Sequence, residues 1–383
     1  MSAQPLSIVV VGGSIAALTA AATLRVAGHE GPITLVSEEA HQPYFRVPLS
    51  KGVLAGVEPL ERALLPAPGD DIDFRPSSRA ERLDTGRRLV HLAGGEQLGY
   101  DALIIATGAR ARRLAISDPA EELVLRTLDD SVALAERLAL AGSVIVIGGG
   151  FLGMEIASTC RTLGKTVTVI DRDPPLVRLL GGWLAALLTD AARDHGIRIV
   201  HAPNGVSLGA DGVNYSGGTL TADLIISAVG DQPNIEWLQG SGLELGGGVV
   251  IDENCRAASD IFAVGDVAVP RIDGVLKART PHWTNAVEQG RAAARALLDP
   301  LTSTGYRHDP YFWTEQCGLD VKISGELPLA DTPTVVTGSL ADRSALVQWH
   351  DERGFTAAAA INHRMPIVAL KKLGHRARPL AVV

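Results

Sequence analysis

An α/β fold with two dinucleotide-binding domains and a small C-terminal α+β domain is what this sequence predicts. Three observations carry that expectation. The apolar, β-branched run 144–147 leads straight into Gly148-Gly149-Gly150-Phe151-Leu152-Gly153, and a second apolar run, 167–170, ends on Asp171 about 23 positions after Gly148. A related pattern opens the chain, with the run 6–11, then Gly12-Gly13-Ser14-Ile15-Ala16-Ala17, then 33–36 and Glu38. From Pro310 the period changes to short alternating runs (321–325, 334–338, 345–349, 355–360) before a terminal helical stretch from about Pro366. Alternation of that kind reads as an antiparallel sheet.

Strand, glycine turn, helix, strand and terminal acid together make a Rossmann-like unit. Gly148 permits the tight turn, Gly150 leaves room for a pyrophosphate against the backbone, and Gly153 lets helix and sheet approach. The helix start adds N–H groups and partial positive charge for the phosphates. Asp171 is spaced to accept from a ribose 2′-hydroxyl and to repel a 2′-phosphate, which favours NADH over NADPH; the neighbouring Arg172 weakens that preference. The first copy is less regular. Ser14 stands at the second glycine position and Ala17 at the third, where alanine is accepted. Glu38, about 26 positions after Gly12, is placed for a ribose hydroxyl. Two such units in one chain imply two dinucleotides, FAD and NAD(P)H.

Between and after these units the order is plain. Short strands are predicted near 80–83 and 89–92, and a buried strand, 100–105, ends in Ala106-Thr107-Gly108. A helix is predicted running to about Leu140, another over 183–194, and strands at 198–200, 224–228 and 249–252. A strand from Ile261 reaches Gly265-Asp266, and a helix opens at His282-Trp283-Thr284 and runs to about Leu298. The domains expected are 1–113 with 232–309, 114–231, and 310–383.

Composition sets bounds. A length of 383 residues calls for more than one core. A net charge of -8 argues against general nucleic-acid binding. No stretch offers the roughly 18 uninterrupted apolar residues of a membrane helix. Residues 1–5 lack a basic n-region, so a signal peptide is not expected and the cytoplasm is. The three cysteines, Cys160, Cys255 and Cys317, form no CxxC pair and no metal-ligand spacing.

Taken together, the motifs resemble the FAD-dependent pyridine nucleotide oxidoreductases, and within them the ferredoxin reductases of bacterial oxygenase systems, the branch of putidaredoxin reductase, rubredoxin reductase and the dioxygenase reductase components. The residues that carry the resemblance are Arg46-x-Pro48-Leu49-Ser50-Lys51, Ala106-Thr107-Gly108, Leu125-Arg126-Thr127-Leu128, the glycine turn with Glu155, Val229-Gly230-x-x-Pro233-Asn234, Gly265-Asp266, Asn285-Ala286 and Pro310-x-Phe312-Trp313. The resemblance implies roles. Gly12, Ser14, Ala16 and Ala17 should hold the FAD pyrophosphate and Glu38 the adenosine ribose, while Ala80 should meet the adenine. Arg46, Ala106, Thr107, Gly108, Arg126, Gly265, Asp266 and Thr284 should contact FAD, Trp283 should stand beside the flavin pyrimidine ring, and Lys51 near N5 and O4. Gly148, Gly150, Phe151, Leu152, Gly153, Asp171 and Gly230 should hold NAD, with Glu155 facing the nicotinamide. Phe45 and Val47 depart from the residues usual at their positions.

Disulfide reductases of this superfamily carry a cysteine pair beside the flavin, and others a single cysteine near the position of Pro48. No cysteine precedes Cys160 here. Electrons are therefore expected to pass from NADH through FAD directly to an iron–sulfur ferredoxin, [2Fe-2S] or another small type, serving a P450 or Rieske-type oxygenase. Lys51 and Glu155 are expected to form an ion pair across the domain boundary that orients the nicotinamide. A docking patch for an acidic ferredoxin is expected among Arg279, Arg307, Lys371, Lys372, Arg376 and Arg378, with Trp313 between flavin and partner. Two alternatives stay open at this point. One is an NAD(P)H oxidase or diaphorase; the other is a redox-sensing flavoprotein resembling apoptosis-inducing factor.

Overall fold

The structure, a computed structural model, describes residues 6–114, 122–301, 305–306, 309–326, 328, 332–350 and 356–374. Among them six α-helices form: α1 (Ile15–Val26), α2 (Leu128–Leu140), α3 (Phe151–Thr162), α4 (Val177–Asp194), α5 (Trp283–Leu298) and α6 (Ile367–Gly374). The chain divides into two compact units. One comprises Met1–Phe45, Ala63–Arg110 and Gln232–His308; the other comprises Arg46–Arg62, Ala111–Asp231 and Asp309–Val383.

The first unit is built on a six-stranded sheet in the order Arg256–Ala258, Ile261–Ala263, Ala102–Ile105, Ile8–Val11, Ile33–Val36, Asp73–Arg75. All neighbours are parallel except the first pair. Every residue of Ile8–Val11 and of Ala102–Ile105 is buried. That explains their unbroken apolar runs, since central parallel strands have both faces covered. α1 and α5 lie together: a Cβ added to Gly290 of α5 would come 2.7 Å from the Ala16 carbonyl oxygen, so the bare glycine is what lets the two helices meet.

The second unit holds a four-stranded parallel sheet, Arg198–His201, Thr166–Asp171, Ser143–Ile147, Leu224–Ser227. It also holds a five-stranded antiparallel sheet, Tyr311–Gln316, Leu319–Ser324, Thr356–Ile361, Ser344–His350, Thr334–Ser339. α6 covers the latter through Leu370, which packs with Tyr311, Leu346, Ala358 and Ala360. α2 begins in a capping box: the Thr127 hydroxyl accepts from the Asp130 N–H at 3.1 Å, and the Asp130 carboxylate accepts from the Thr127 N–H at 2.8 Å.

Three differences from the sequence expectation are informative. α4 begins at Val177, ahead of the expected Trp183, and carries a non-helical residue, Gly181, at φ 76. Pro174-Pro175 and Gly181-Gly182 read as breakers, yet the prolines precede the helix and the glycine only kinks it. Tyr311–Gln316 is a full strand that the alternation does not announce, because three consecutive aromatics, Tyr311, Phe312 and Trp313, blur its two faces. Finally, Arg46–Arg62 groups with the second unit, so Lys51 and Glu155 lie in one compact unit and not on either side of a boundary.

Candidate functional site

In the first unit the glycine turn has the shape of a dinucleotide cradle. Gly12 sits at φ 136, and a Cβ there would come 2.1 Å from the Ala106 carbonyl oxygen, so only glycine lets the turn pass this strand. Ser14 occupies the N-cap of α1 in extended conformation, and its side chain makes no capping bond. The serine therefore leaves the first amides of the helix to an anion, and the departure from glycine is compatible with a phosphate. Ala16 and Ala17 are buried, and Glu38 is exposed two residues past the strand Ile33–Val36. Ala80 begins the strand Ala80–Asp84.

The tripeptide 106–108 is fastened within the same unit. Thr107 Oγ1 donates to the Asn234 carbonyl at 2.9 Å, Asn234 Nδ2 donates back to the Thr107 carbonyl at 2.9 Å, and the Asn234 N–H donates to the Gly108 carbonyl at 3.0 Å. The Gly265 N–H donates to Gln289 Oε1 of α5 at 2.8 Å, and the Asp266 carbonyl accepts from Arg279 Nη1 at 2.7 Å. Trp283 opens α5 with Thr284 next to it, and the Trp283 ring meets Phe45 edge-on, centroids 5.7 Å apart. Phe45, which departs from the usual residue at its position, thus forms an apolar wall beside that tryptophan.

The second unit carries the more regular cradle. Gly148 sits at φ 107, and a Cβ on Gly153 would come 1.9 Å from the Gly148 carbonyl oxygen, which is how the third glycine lets α3 settle on the turn. Gly150 is the N-cap of α3, Phe151 and Leu152 are its first residues, and Gly230 holds φ 101. Asp171 Oδ2 accepts from the Gly149 N–H at 2.6 Å and Oδ1 from the Arg172 N–H at 2.5 Å. The acid expected to read a ribose therefore also ties the end of its strand to the glycine turn. Both cradles fit dinucleotides on this geometry: Gly12, Gly148 and Gly153 sit where a Cβ would run into backbone, and each turn leads into a helix start.

Lys51 and Glu155 meet. Lys51 Nζ is 2.6 Å from Glu155 Oε2, both side chains largely buried. Ser50 Oγ donates to the same oxygen at 2.7 Å, and Thr314 Oγ1 donates to Oε1 at 2.9 Å. The short helical turn Val47–Ser50 is itself fixed by hydroxyls: Thr159 of α3 donates to the Ser50 carbonyl at 2.7 Å and Ser131 of α2 to the Leu49 carbonyl at 2.9 Å. A buried carboxylate requires charge or several donors to offset lost hydration; this one has both. Arg46 and Arg126, each expected to contact FAD, lie in this unit, where Arg46 Nη1 donates to the Arg126 carbonyl at 2.8 Å.

Nothing in the local pattern singles out Thr159, Ser131, Thr314 or Gln316, and Ser50 enters only as part of a motif. The one available signal for Thr314 is the alternation of Phe312, Thr314 and Gln316. The docking residues are dispersed in their pairing. Lys371 is bound to Asp309 Oδ2 at 2.5 Å and lies over the Tyr311 ring, Arg279 donates to the Asp266 carbonyl, and Lys372 is exposed. Arg307, Arg376 and Arg378 lie outside the described residues. The Trp313 ring lies 6.0 Å from that of Tyr311. Cys160, Cys255 and Cys317 are free and buried. Among the described residues no helix is long and apolar enough to cross a membrane, and no three His, Cys, Asp or Glu gather as for a metal ion.

Comparison with known proteins agrees with this anatomy. Residues 6–290 match the family model for pyridine nucleotide-disulphide oxidoreductases. The chain is similar to the rhodocoxin reductase of Rhodococcus erythropolis, 36% identical over 354 residues, 88% of this chain and 81% of that one. It is 33% identical over 333 residues to the biphenyl dioxygenase system ferredoxin–NAD(+) reductase component of Paraburkholderia xenovorans, covering 84% of this chain and 81% of that one. Among solved structures it is similar to the covalent putidaredoxin reductase–putidaredoxin complex, with a TM-score of 0.86, 29% identity, and coverage of 97% of this chain and 93% of that one. The fold, the two cradles and these likenesses together make the chain a member of the pyridine nucleotide-disulphide oxidoreductase family.

Proposed function

We infer that this chain is an FAD-dependent oxidoreductase that takes electrons from NADH and delivers them to a small iron–sulfur ferredoxin serving an oxygenase. The observation that carries the reading is the pairing of Lys51 with Glu155, which lies on the helix of the nicotinamide cradle, in a chain with no cysteine before Cys160. Bound FAD supplies a group that accepts two electrons as hydride and can release them singly. The chain's own residues place and orient. The turn 12–17, Glu38, Ala80, the tripeptide Ala106-Thr107-Gly108, Gly265, Asp266, Trp283 and Thr284 are the proposed FAD contacts, and the turn 148–153 with Asp171 is the proposed NADH cradle. Glu155, held by Lys51, Ser50 and Thr314, presents a fixed acceptor to the carboxamide of the nicotinamide. No thiol stands ready for exchange chemistry, because all three cysteines are buried and burial raises their thiols.

The proposed acceptor is a [2Fe-2S] or similar small ferredoxin, a ferredoxin being what one relative's name gives as its partner, and the proposed compartment is the cytoplasm, where reduced thiols persist. The test is anaerobic. NADH should bleach the flavin of the purified protein stoichiometrically, and cytochrome c reduction should then depend on added ferredoxin. In a parallel aerobic assay, oxygen consumption as fast as ferredoxin reduction would favour an oxidase instead.

A further inference from the structure

The strand Tyr311–Gln316 meets α3 with matched spacing. The Phe312 ring lies 4.9 Å from that of Phe151, Thr314 Oγ1 bonds Glu155, and the Cys317 N–H donates to Ser158 Oγ at 2.7 Å. On the helix, positions 151, 155 and 158 fall on one face, and on the strand 312 and 314 do the same.

Proton direction along this contact is fixed by chemistry. A carboxylate has no proton to give, so the Thr314 hydroxyl donates to Glu155. Its lone pairs then face Gln316, whose Nε2 donates to it at 3.0 Å. Thr314 and Gln316 are 1% and 3% exposed, so water does not compete for either group. Lys51 and Ser50 both bond Oε2 of Glu155, and Thr314 is the donor on Oε1. The last torsion of a glutamate is soft and roughly two-fold. Two donors on one oxygen leave the carboxylate able to turn about that oxygen; a third on the other oxygen fixes its plane.

We propose that Thr314, oriented by Gln316, is a positioning residue for hydride transfer, setting the plane of the Glu155 carboxylate against the nicotinamide. The inference rests on the reading that Glu155 faces the nicotinamide. Phe312 adds a second restraint from the same strand, holding Phe151 at the start of the helix.

Thr314→Val keeps the shape and removes the hydroxyl; Thr314→Ser keeps the hydroxyl. The FAD-loaded protein is measured three ways: limiting rate of flavin reduction by NADH in stopped flow, NAD⁺ Kd by calorimetry, and Tm. Thr314→Val should lower the limiting rate about tenfold, as misplacement of a reacting group by a fraction of an ångström does, with NAD⁺ Kd changed less than about threefold. Thr314→Ser should restore the rate to within about twofold, and in a Glu155→Ala background Thr314→Val should add no further loss. A Thr314→Val rate equal to wild type, failure of serine to rescue, the same loss without Glu155, or a Kd rising in step with the rate loss overturns the proposal. Normal NADH reduction of the wild type alongside any of these overturns Thr314 alone. A wild type that neither binds NAD⁺ nor is reduced by NADH overturns the functional reading and this inference with it.

Discussion

The Lys51 ammonium lies 2.6 Å from Glu155 Oε2, across 104 residues of sequence and inside one compact unit. Removing one member of a buried pair strands the other, whereas removing both leaves no charge unpaired. Lys51→Met and Glu155→Gln should each destabilise the protein, and the double variant should fall well short of their sum. A coupling of about 1–3 kcal/mol in denaturant unfolding is expected; additive costs would show that the contact carries no energy. Both single variants should also slow flavin reduction by NADH.

The thiols give a second prediction. Burial pushes Cys160 up to about 12, and it raises Cys255 and Cys317 as well. At pH 8 a thiol near 12 is thiolate in about one molecule in ten thousand, and the thiolate is the nucleophile. The native protein should resist a disulfide reagent at pH 8 and keep full activity after iodoacetamide, while the three cysteines of the sequence react once the chain is unfolded. Rapid native labelling coupled to loss of activity would reopen a thiol route for the electrons.

The glycine turns were legible because their signal is local: strand, turn, helix and acid sit within about 25 residues. The pairing of Lys51 with Glu155 was legible only through resemblance, since nothing in the spacing of positions 51 and 155 brings them together. Thr314 was legible only faintly, in the two-residue spacing of Phe312, Thr314 and Gln316. Its partner lies 159 positions away, and its strand hides behind three aromatics in a row. Registers between distant elements are set by packing, and a single sequence does not display them.

Asp171 tests whether one carboxylate serves two ends. Its Oδ2 holds the Gly149 N–H at 2.6 Å. Asp171→Asn keeps an acceptor there and removes the charge, so NADPH should gain relative to NADH with modest loss for NADH. Asp171→Ala removes both, and loss of a charge-assisted bond worth about 1.5–3 kcal/mol should weaken both nucleotides by roughly ten- to a hundredfold. Equal behaviour of the two variants in kcat/KM would show that the bond to Gly149 contributes nothing.

Acid sensitivity should centre partly on His29. Burial, and secondarily the charge of Arg25, lower its pKa below the ordinary 6.5. The unfolded chain then binds the proton more readily than the fold does. The contribution of His29 is present above about 6.5 and is lost as pH falls below it. Tm measured from pH 8 to 5 should decline more steeply for the wild type than for His29→Gln; parallel curves would remove His29 as a cause.

Lys371 and Lys372 are adjacent in sequence and differ in setting. Lys371 is bound to Asp309 and stacked over Tyr311, while Lys372 is exposed on α6. A charge already paired contributes little to the field an acidic partner meets, and steering acts mainly on association and its salt dependence. Lys372→Glu should therefore raise KM for ferredoxin several-fold at low salt, with the difference shrinking as salt rises and with reduction of a small dye unchanged. Lys371→Glu should behave differently, setting two acids side by side and lowering Tm through the lost Asp309 pair. If Lys372→Glu leaves KM untouched at low salt, α6 is not part of the docking face.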